Sequence, residues 1–139
     1  MRICNCNITD AELEVMNILW EKNSATSREL SSILEKKKGW KNTTVKTLLG
    51  RLVEKEFLDT KKISNYFVYS PIVSQESTLE YLTRNFNSNI CSKSVGDVIL
   101  QLISDNDLSS NDILKLKKNL DKKLANNKIK CNCIPDDHK

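Results

Sequence analysis

Four of the five cysteines stand in two identical triplets, Cys4-Asn5-Cys6 near one end of the chain and Cys131-Asn132-Cys133 near the other. Two thiols one residue apart on a short segment can converge on a single soft ion, and thiolates select Cu(I) or zinc over hard cations. Structural zinc sites more often use Cys-x2-4-Cys, so the tighter spacing tilts each pair toward Cu(I) without excluding zinc. In a reducing compartment paired thiols read first as metal ligands or redox groups rather than as a disulfide frame. His138, the single histidine, either completes such a site or is a loose terminal residue. The plain alternative is two incidental triplets in an Asn-rich chain. Cys91, standing alone, reads as a small buried apolar residue.

A second chemistry lies in the charge. The formal net charge is only +4, but nine Lys or Arg between Lys36 and Lys62 face three acids, a local +6 on a chain that is otherwise slightly acidic. Such an island is the footprint of phosphate contact or, equally, a solvated helix face. Inside it, Thr43, Lys46, Thr47 and Gly50 fall opposite the apolar stripe Val45, Leu48, Leu49, Leu52 and Val53 at helical spacing, with Thr44 and Arg51 on one flank. The threonines have the reach for base edges, thymine methyls or phosphates, and Lys46 for guanine or phosphate; Arg51 is better placed to clamp backbone. An amphipathic helix with a wet outer face carries the same pattern. Lys61 and Lys62 suit phosphate contact, and on an edge strand they also discourage aggregation.

These residues need elements to position them. Thr9-x-x-Glu12 and Thr26-x-x-Glu29 are capping boxes that open two helices, the first with a Leu13, Met16, Leu19 and Trp20 face, the second with Leu30, Ile33 and Leu34 inside and Gly39 as its stop. Asn42 is placed to cap a third helix running to about Glu56. Leu58 to Ile63 and Tyr66 to Ser70 read as two strands about a Ser64-Asn65 turn, closed by Pro71. Helix, helix, helix, hairpin is a winged helix-turn-helix. Beyond Pro71 only helices are expected: one capped by Ser74 with Leu79, Leu82 and Phe86, a link from Asn87 to Ser92, one carrying Val95, Val98, Ile99, Leu102 and Ile103, and one opened by Ser109 with Ile113, Leu116, Leu120 and Leu124. Their stripes make a thin core alone, which implies pairing with a second copy. The expected class is therefore mainly α with a small β-hairpin wing, divided into a winged-helix domain (1–72), a helical dimerisation domain (73–126) and a cysteine-containing tail (127–139).

Composition narrows the rest. At 139 residues, 39% hydrophobic and 29% charged, the chain suits one domain or two small ones. Three Gly and two Pro leave no phosphate-cradling loop, and one His with no Ser/His/Asp set argues against an enzyme. No apolar stretch approaches the roughly 18 to 20 residues of a membrane span, and the residues behind Arg2 form no signal core, so a cytoplasmic protein is expected.

Ile8-Thr9-Asp10-Ala11-Glu12-Leu13-Glu14-Val15-Met16 with Leu19-Trp20, then Thr44-Val45-Lys46-Thr47-Leu48-Leu49 with Arg51-Leu52, then Tyr69-Ser70-Pro71, resemble the penicillinase repressor (BlaI/MecI/CopY) family over most of the chain. Ser94-Val95-Gly96 and the stretch from Leu108 to Leu120 resemble its dimerisation region. The resemblance implies a homodimeric transcriptional repressor on a palindromic double-stranded DNA operator, with the third helix in the major groove and the wing along the backbone. The expected contacts are Asn42, Thr43, Thr44, Lys46, Thr47 and Arg51, with Lys61, Lys62 and Asn65 of the wing. Where the family's wing often has Gly-Arg, Ser64-Asn65 stands here, which assigns Asn65 to any φ > 0 position.

Two branches of the family respond to different signals. In the β-lactam branch induction resembles cleavage of an Asn-Phe bond, and Gln101-Leu102 stands at the matching position. The copper-responsive branch carries a Cys-x-Cys-x4-Cys-x-Cys tail. Cys131 and Cys133 match its first pair, His138 takes the place of the third cysteine, and Cys4 and Cys6 offer a substitute pair. The resemblance favours Cu(I), with zinc as a resting occupant, acting on the tail. The alternatives are a β-lactam-responsive repressor inactivated by proteolysis and, from another class, a thiolate metal buffer.

Overall fold

In a computed structural model, which describes residues 7–135, the first two helices start at their capping boxes. Helix α1 (Asp10–Lys22) begins where the Thr9 N–H donates to Glu12 Oε1 at 2.9 Å and the Glu12 N–H donates to Thr9 Oγ1 at 3.2 Å. Thr26 and Glu29 repeat this exchange at α2 (Ser27–Lys38), which ends at Gly39 with φ 70°, a left-handed position that glycine adopts without steric cost. Strand β1 (Ala25–Thr26) precedes α2; α3 (Asn42–Glu54), β2 (Leu58–Ile63) and β3 (Tyr66–Pro71) follow it.

Asn42 is not the cap of α3. Lys41 holds that place without a side-chain bond, and Asn42 is the first helical residue, its Oδ1 accepting from Ser31 Oγ of α2 at 2.7 Å. The helix also stops short of Glu56. Glu56 turns left-handed at φ 64°, and the Phe57 N–H bonds to the Leu52 carbonyl at 2.9 Å, so Phe57 turns back into the core. The wing is a three-stranded antiparallel sheet in the order β1-β3-β2, where the sequence suggested two strands. Ala25 pairs with Tyr69 and Thr26 with Val68, while β2 and β3 run in register from Leu58 opposite Pro71 to Ile63 opposite Tyr66. At the turn Ser64, not Asn65, takes the positive φ, at 56°.

The core gathers Val15, Met16, Leu19, Leu30, Leu34, Val45, Leu48, Leu49, Leu52, Phe57, Leu58 and Val73. On α1, Val15 and Glu12 are fully buried where Leu13 and Trp20 were expected, and Trp20 is half-buried with Nε1 donating to the Val73 carbonyl at 3.1 Å. The arrangement is a winged helix-turn-helix.

Helix α4 (Gln75–Asn89) starts at Ser74, whose Oγ accepts from the Ser77 N–H at 3.0 Å, and it absorbs the first residues of the expected link at Asn87. A short 3-10 turn (Ser92–Ser94), α5 (Val95–Asp105) and α6 (Ser110–Lys122), capped by Ser109, complete the order. The chain resolves into two compact units, one up to Thr83 and one from Arg84. In the second, no described residue is fully buried. None of the described helices is long and apolar enough to cross a membrane.

Candidate nucleic-acid interface and thiol cluster

On α3 the 3.6-residue period separates two faces. Val45, Leu48, Leu49 and Leu52 are buried, while Asn42, Thr43, Thr44, Lys46, Thr47 and Arg51 are exposed. Thr43, Thr44, Thr47 and Arg51 line a shallow depression of about 290 Å³ over Leu48. The Thr47 hydroxyl donates to the Thr43 carbonyl at 2.9 Å, which restrains its rotamer and leaves its oxygen lone pairs able to accept.

A larger concavity of about 1090 Å³ opens between the start of α2, the start of α3 and the wing. Arg28 and Lys46 bring cations to it, Ser31 and Asn42 hydrogen-bonding groups, and Asn65 and Tyr66 the wing tip. Arg28 is exposed on α2. It stood outside the contacts expected from the sequence because the basic island begins at Lys36; only the folding of α2 against the wing brings it beside Lys46.

The basic island itself divides. Glu14 of α1 takes Lys37 at 2.9 Å and Lys38 at 3.4 Å, and Glu12 takes Lys55 at 2.7 Å. These three lysines serve the fold. Among the described residues no acid lies within ion-pair distance of Lys36, Lys41, Lys46, Arg51, Lys61 or Lys62. Lys61 and Lys62 are exposed on β2, an edge strand. The cations left without an ion pair among the described residues thus include Lys46 and Arg51 on the outer face of α3 and Lys61 and Lys62 on the wing, and Glu35 is the acid that lines the concavity with Lys46.

In the second unit the sulfurs of Cys91, Cys131 and Cys133 all lie within 4.8 Å of one another, and Cys91 Sγ donates to Cys131 Sγ at 3.3 Å. All three thiols are free. The Cys133 N–H donates to Cys131 Sγ at 3.4 Å, and this bond, with those from Cys91 and Cys133, holds the Cys131 thiol below its ordinary value. Hydrogen bonding to Cys131 and then Cys91 pushes Cys133 up to about 12. The cluster therefore favours losing a proton first from Cys131 and resists losing one from Cys133, and a full thiolate set needs a bound cation to form. Cys91 is half-buried in a thiol cluster, not the isolated apolar residue suggested by its place in the sequence. Cys4, Cys6 and His138 lie outside the described residues.

The family model described as "Penicillinase repressor" matches residues 8–122. The chain belongs to the penicillinase repressor family. Its relatives include an uncharacterized 16.5 kDa protein of Latilactobacillus sakei, 37% identical over 131 residues that span 93% of this chain and 90% of that one. The methicillin resistance regulatory protein MecI of Staphylococcus aureus strain N315 is 35% identical over 117 residues, 84% of this chain and 94% of its own. The penicillinase repressor of Bacillus licheniformis is 30% identical over 109 residues, 78% and 85% of the two chains.

Membership makes this chain a transcriptional repressor and not an enzyme. The matched region ends at residue 122, so Cys91 lies within the penicillinase repressor match while Cys131 and Cys133 lie beyond it.

Proposed function

We propose that this repressor grips a palindromic double-stranded DNA operator as a homodimer in the cytoplasm and is released when Cu(I) binds its C-terminal thiolates. The observation that carries the DNA reading is the exposed face of α3, whose Lys46 and Arg51 make no ion pair among the described residues, beside an edge-strand wing that carries Lys61 and Lys62. In this reading Thr43, Thr44 and Thr47 meet base edges and thymine methyls, Lys46 meets guanine or phosphate, and Arg51, Lys61, Lys62, Asn42 and Asn65 hold the backbone. Arg28 joins them from the start of α2. The homodimer is supported by the apolar faces of α5 and α6, where Leu102 and Leu120 are about 60% exposed in the single chain.

The copper reading rests on Cys131 and Cys133; Cys4, Cys6 and His138 are further donors proposed from the sequence. Release requires that Cu(I) favour a state in which the two recognition helices no longer match adjacent major grooves. A hundredfold release takes about 2.7 kcal/mol of differential affinity between the two states.

Two measurements test this. Lys61→Ala with Lys62→Ala should reduce the salt slope of operator binding by about 2, since each phosphate contact contributes about 0.9, while base preference stays intact; an unchanged slope removes the wing from the interface. Anaerobic Cu(I) titration of the DNA complex should release the wild type and spare the Cys131→Ser, Cys133→Ser variant. Similarity to MecI favours a second trigger, β-lactam signalling through proteolysis. A cleavage assay with the cognate sensor protease separates the two, because Gln101-Leu102 replaces the expected bond and should resist.

A further inference from the structure

We propose that Cys91 is the third ligand of a trigonal thiolate site with Cys131 and Cys133, which takes one Cu(I) ion per chain and clamps the C-terminal tail to the turn that starts α5. The clamp's role in regulation rests on the copper-responsive reading above; its coordination chemistry does not.

Geometry supports the ligand set first. Metal–sulfur bonds of about 2.3 Å in a trigonal plane place the sulfurs about 4 Å apart. The three Sγ atoms lie within 4.8 Å of one another, with Cys91 and Cys131 at 3.3 Å, so small side-chain rotations bring them to that spacing. The backbone is already arranged for it. On either side of Cys131, the tail is tied to Ser92, the neighbour of Cys91: the Ser92 N–H donates to Asn132 Oδ1 at 2.8 Å and the Ser92 hydroxyl donates to the Lys130 carbonyl. These bonds involve no sulfur and hold the third donor beside the pair.

The number of donors then selects the ion. A monovalent d10 ion such as Cu(I) is satisfied by two or three thiolates, whereas structural zinc almost always takes four ligands in a tetrahedron. Three clustered sulfurs complete the first, whereas zinc would need a fourth donor from outside the cluster. As the ion enters, each thiol gives its proton to solvent, so the filled site carries two negative charges, next to Lys93 and Lys130 in the chain.

The consequence is conformational. Cys91 and Cys131 are 40 residues apart, with α5 and α6 between them. With the tail docked the ion meets three sulfurs; with it undocked, only the Cys131 and Cys133 pair. Cu(I) therefore shifts the tail toward the docked state by the ratio of its affinities for the two, and binds in a loop that encloses both helices.

The test uses the full chain in a Cys4→Ser, Cys6→Ser background, loaded anaerobically with one equivalent of Cu(I). X-ray absorption should show three sulfur neighbours, falling to two in Cys91→Ser, with at least a tenfold loss of Cu(I) affinity in competition with a Cu(I) chelator. Ser92→Ala keeps all three sulfurs but loosens the docking, and should lower affinity without changing the sulfur count. An unchanged sulfur count and affinity in Cys91→Ser overturns the assignment, as does a preference for zinc over Cu(I). Operator release is read separately. Three-sulfur binding without release keeps the site and removes the copper-responsive function; copper release that persists in Cys91→Ser with two sulfurs in the wild type removes the third ligand and keeps the function.

Discussion

The two units of this chain are built from helices of similar length but differ in what those helices cover. In the unit that ends at Thr83, α1, α2 and α3 turn their stripes onto one another and onto the sheet, and a dozen side chains become solvent-inaccessible. In the unit that starts at Arg84, α5 and α6 are as amphipathic, yet Ile99, Leu102, Ile113, Leu116 and Leu120 remain exposed. A stripe is satisfied only by a second surface. Three helices and a sheet supply one within the first unit, whereas two short helices and a tail supply too little in the second. On the proposed homodimer, the first unit carries the folding and the second the assembly.

The largest effect that can break this comparison is in the first unit. Phe57→Ala removes a fully buried ring at the left-handed turn after α3, and should cost about 3 to 5 kcal/mol in chemical denaturation. Truncating Leu102, which is mostly exposed in the single chain, to Ala should cost a monomer less than about 0.5 kcal/mol. If the two substitutions prove equal in a dilute, monomeric sample, the second unit has a core of its own.

The next effect concerns assembly. Leu102→Asp combined with Leu120→Asp should leave the melting of the first unit in place, yet hold the chain as a monomer in sedimentation. Operator affinity should fall about a hundredfold or more, because two tethered recognition helices gain avidity over one. A double variant that still sediments as a dimer places the proposed interface elsewhere.

Much of the first unit was legible from residue spacing because its signals are local. Thr9 with Glu12, Thr26 with Glu29, Gly39 and the α3 stripe each depend on neighbours within four residues. What escaped depends on partners far along the chain. Strand β1 is two residues long and exists only because Tyr69 and Val68 pair with it. Arg28 joins the concavity through the packing of α2, and Cys91 meets Cys131 across 40 residues. Asn42 misled in a different way: it has the cap's chemistry, but Ser31 takes its oxygen and Lys41 takes its place. Glu12 was read as a capping residue alone, and its second role is visible only once Lys55 arrives from the end of α3.

That second role yields the smallest effect and sharpens the account of the first unit. Burial by itself raises the Glu12 carboxyl, but the Lys55 ammonium and the Thr9 donors outweigh it and hold the group below its ordinary value. A carboxyl lowered on folding contributes stability that is fully present above the ordinary carboxylate range and is lost as pH falls through the folded-state value. Glu12→Gln keeps an oxygen for the Thr9 N–H while removing the charge that faces Lys55. It should cost about 1 to 2 kcal/mol at neutral pH, less than a fully buried pair because Lys55 stays one-third exposed. On acidification the wild-type and variant stability curves should converge, since the wild type then loses the same charge by protonation. Curves that remain parallel down to strongly acidic pH would show that the α1–α3 ion pair adds nothing beyond the cap.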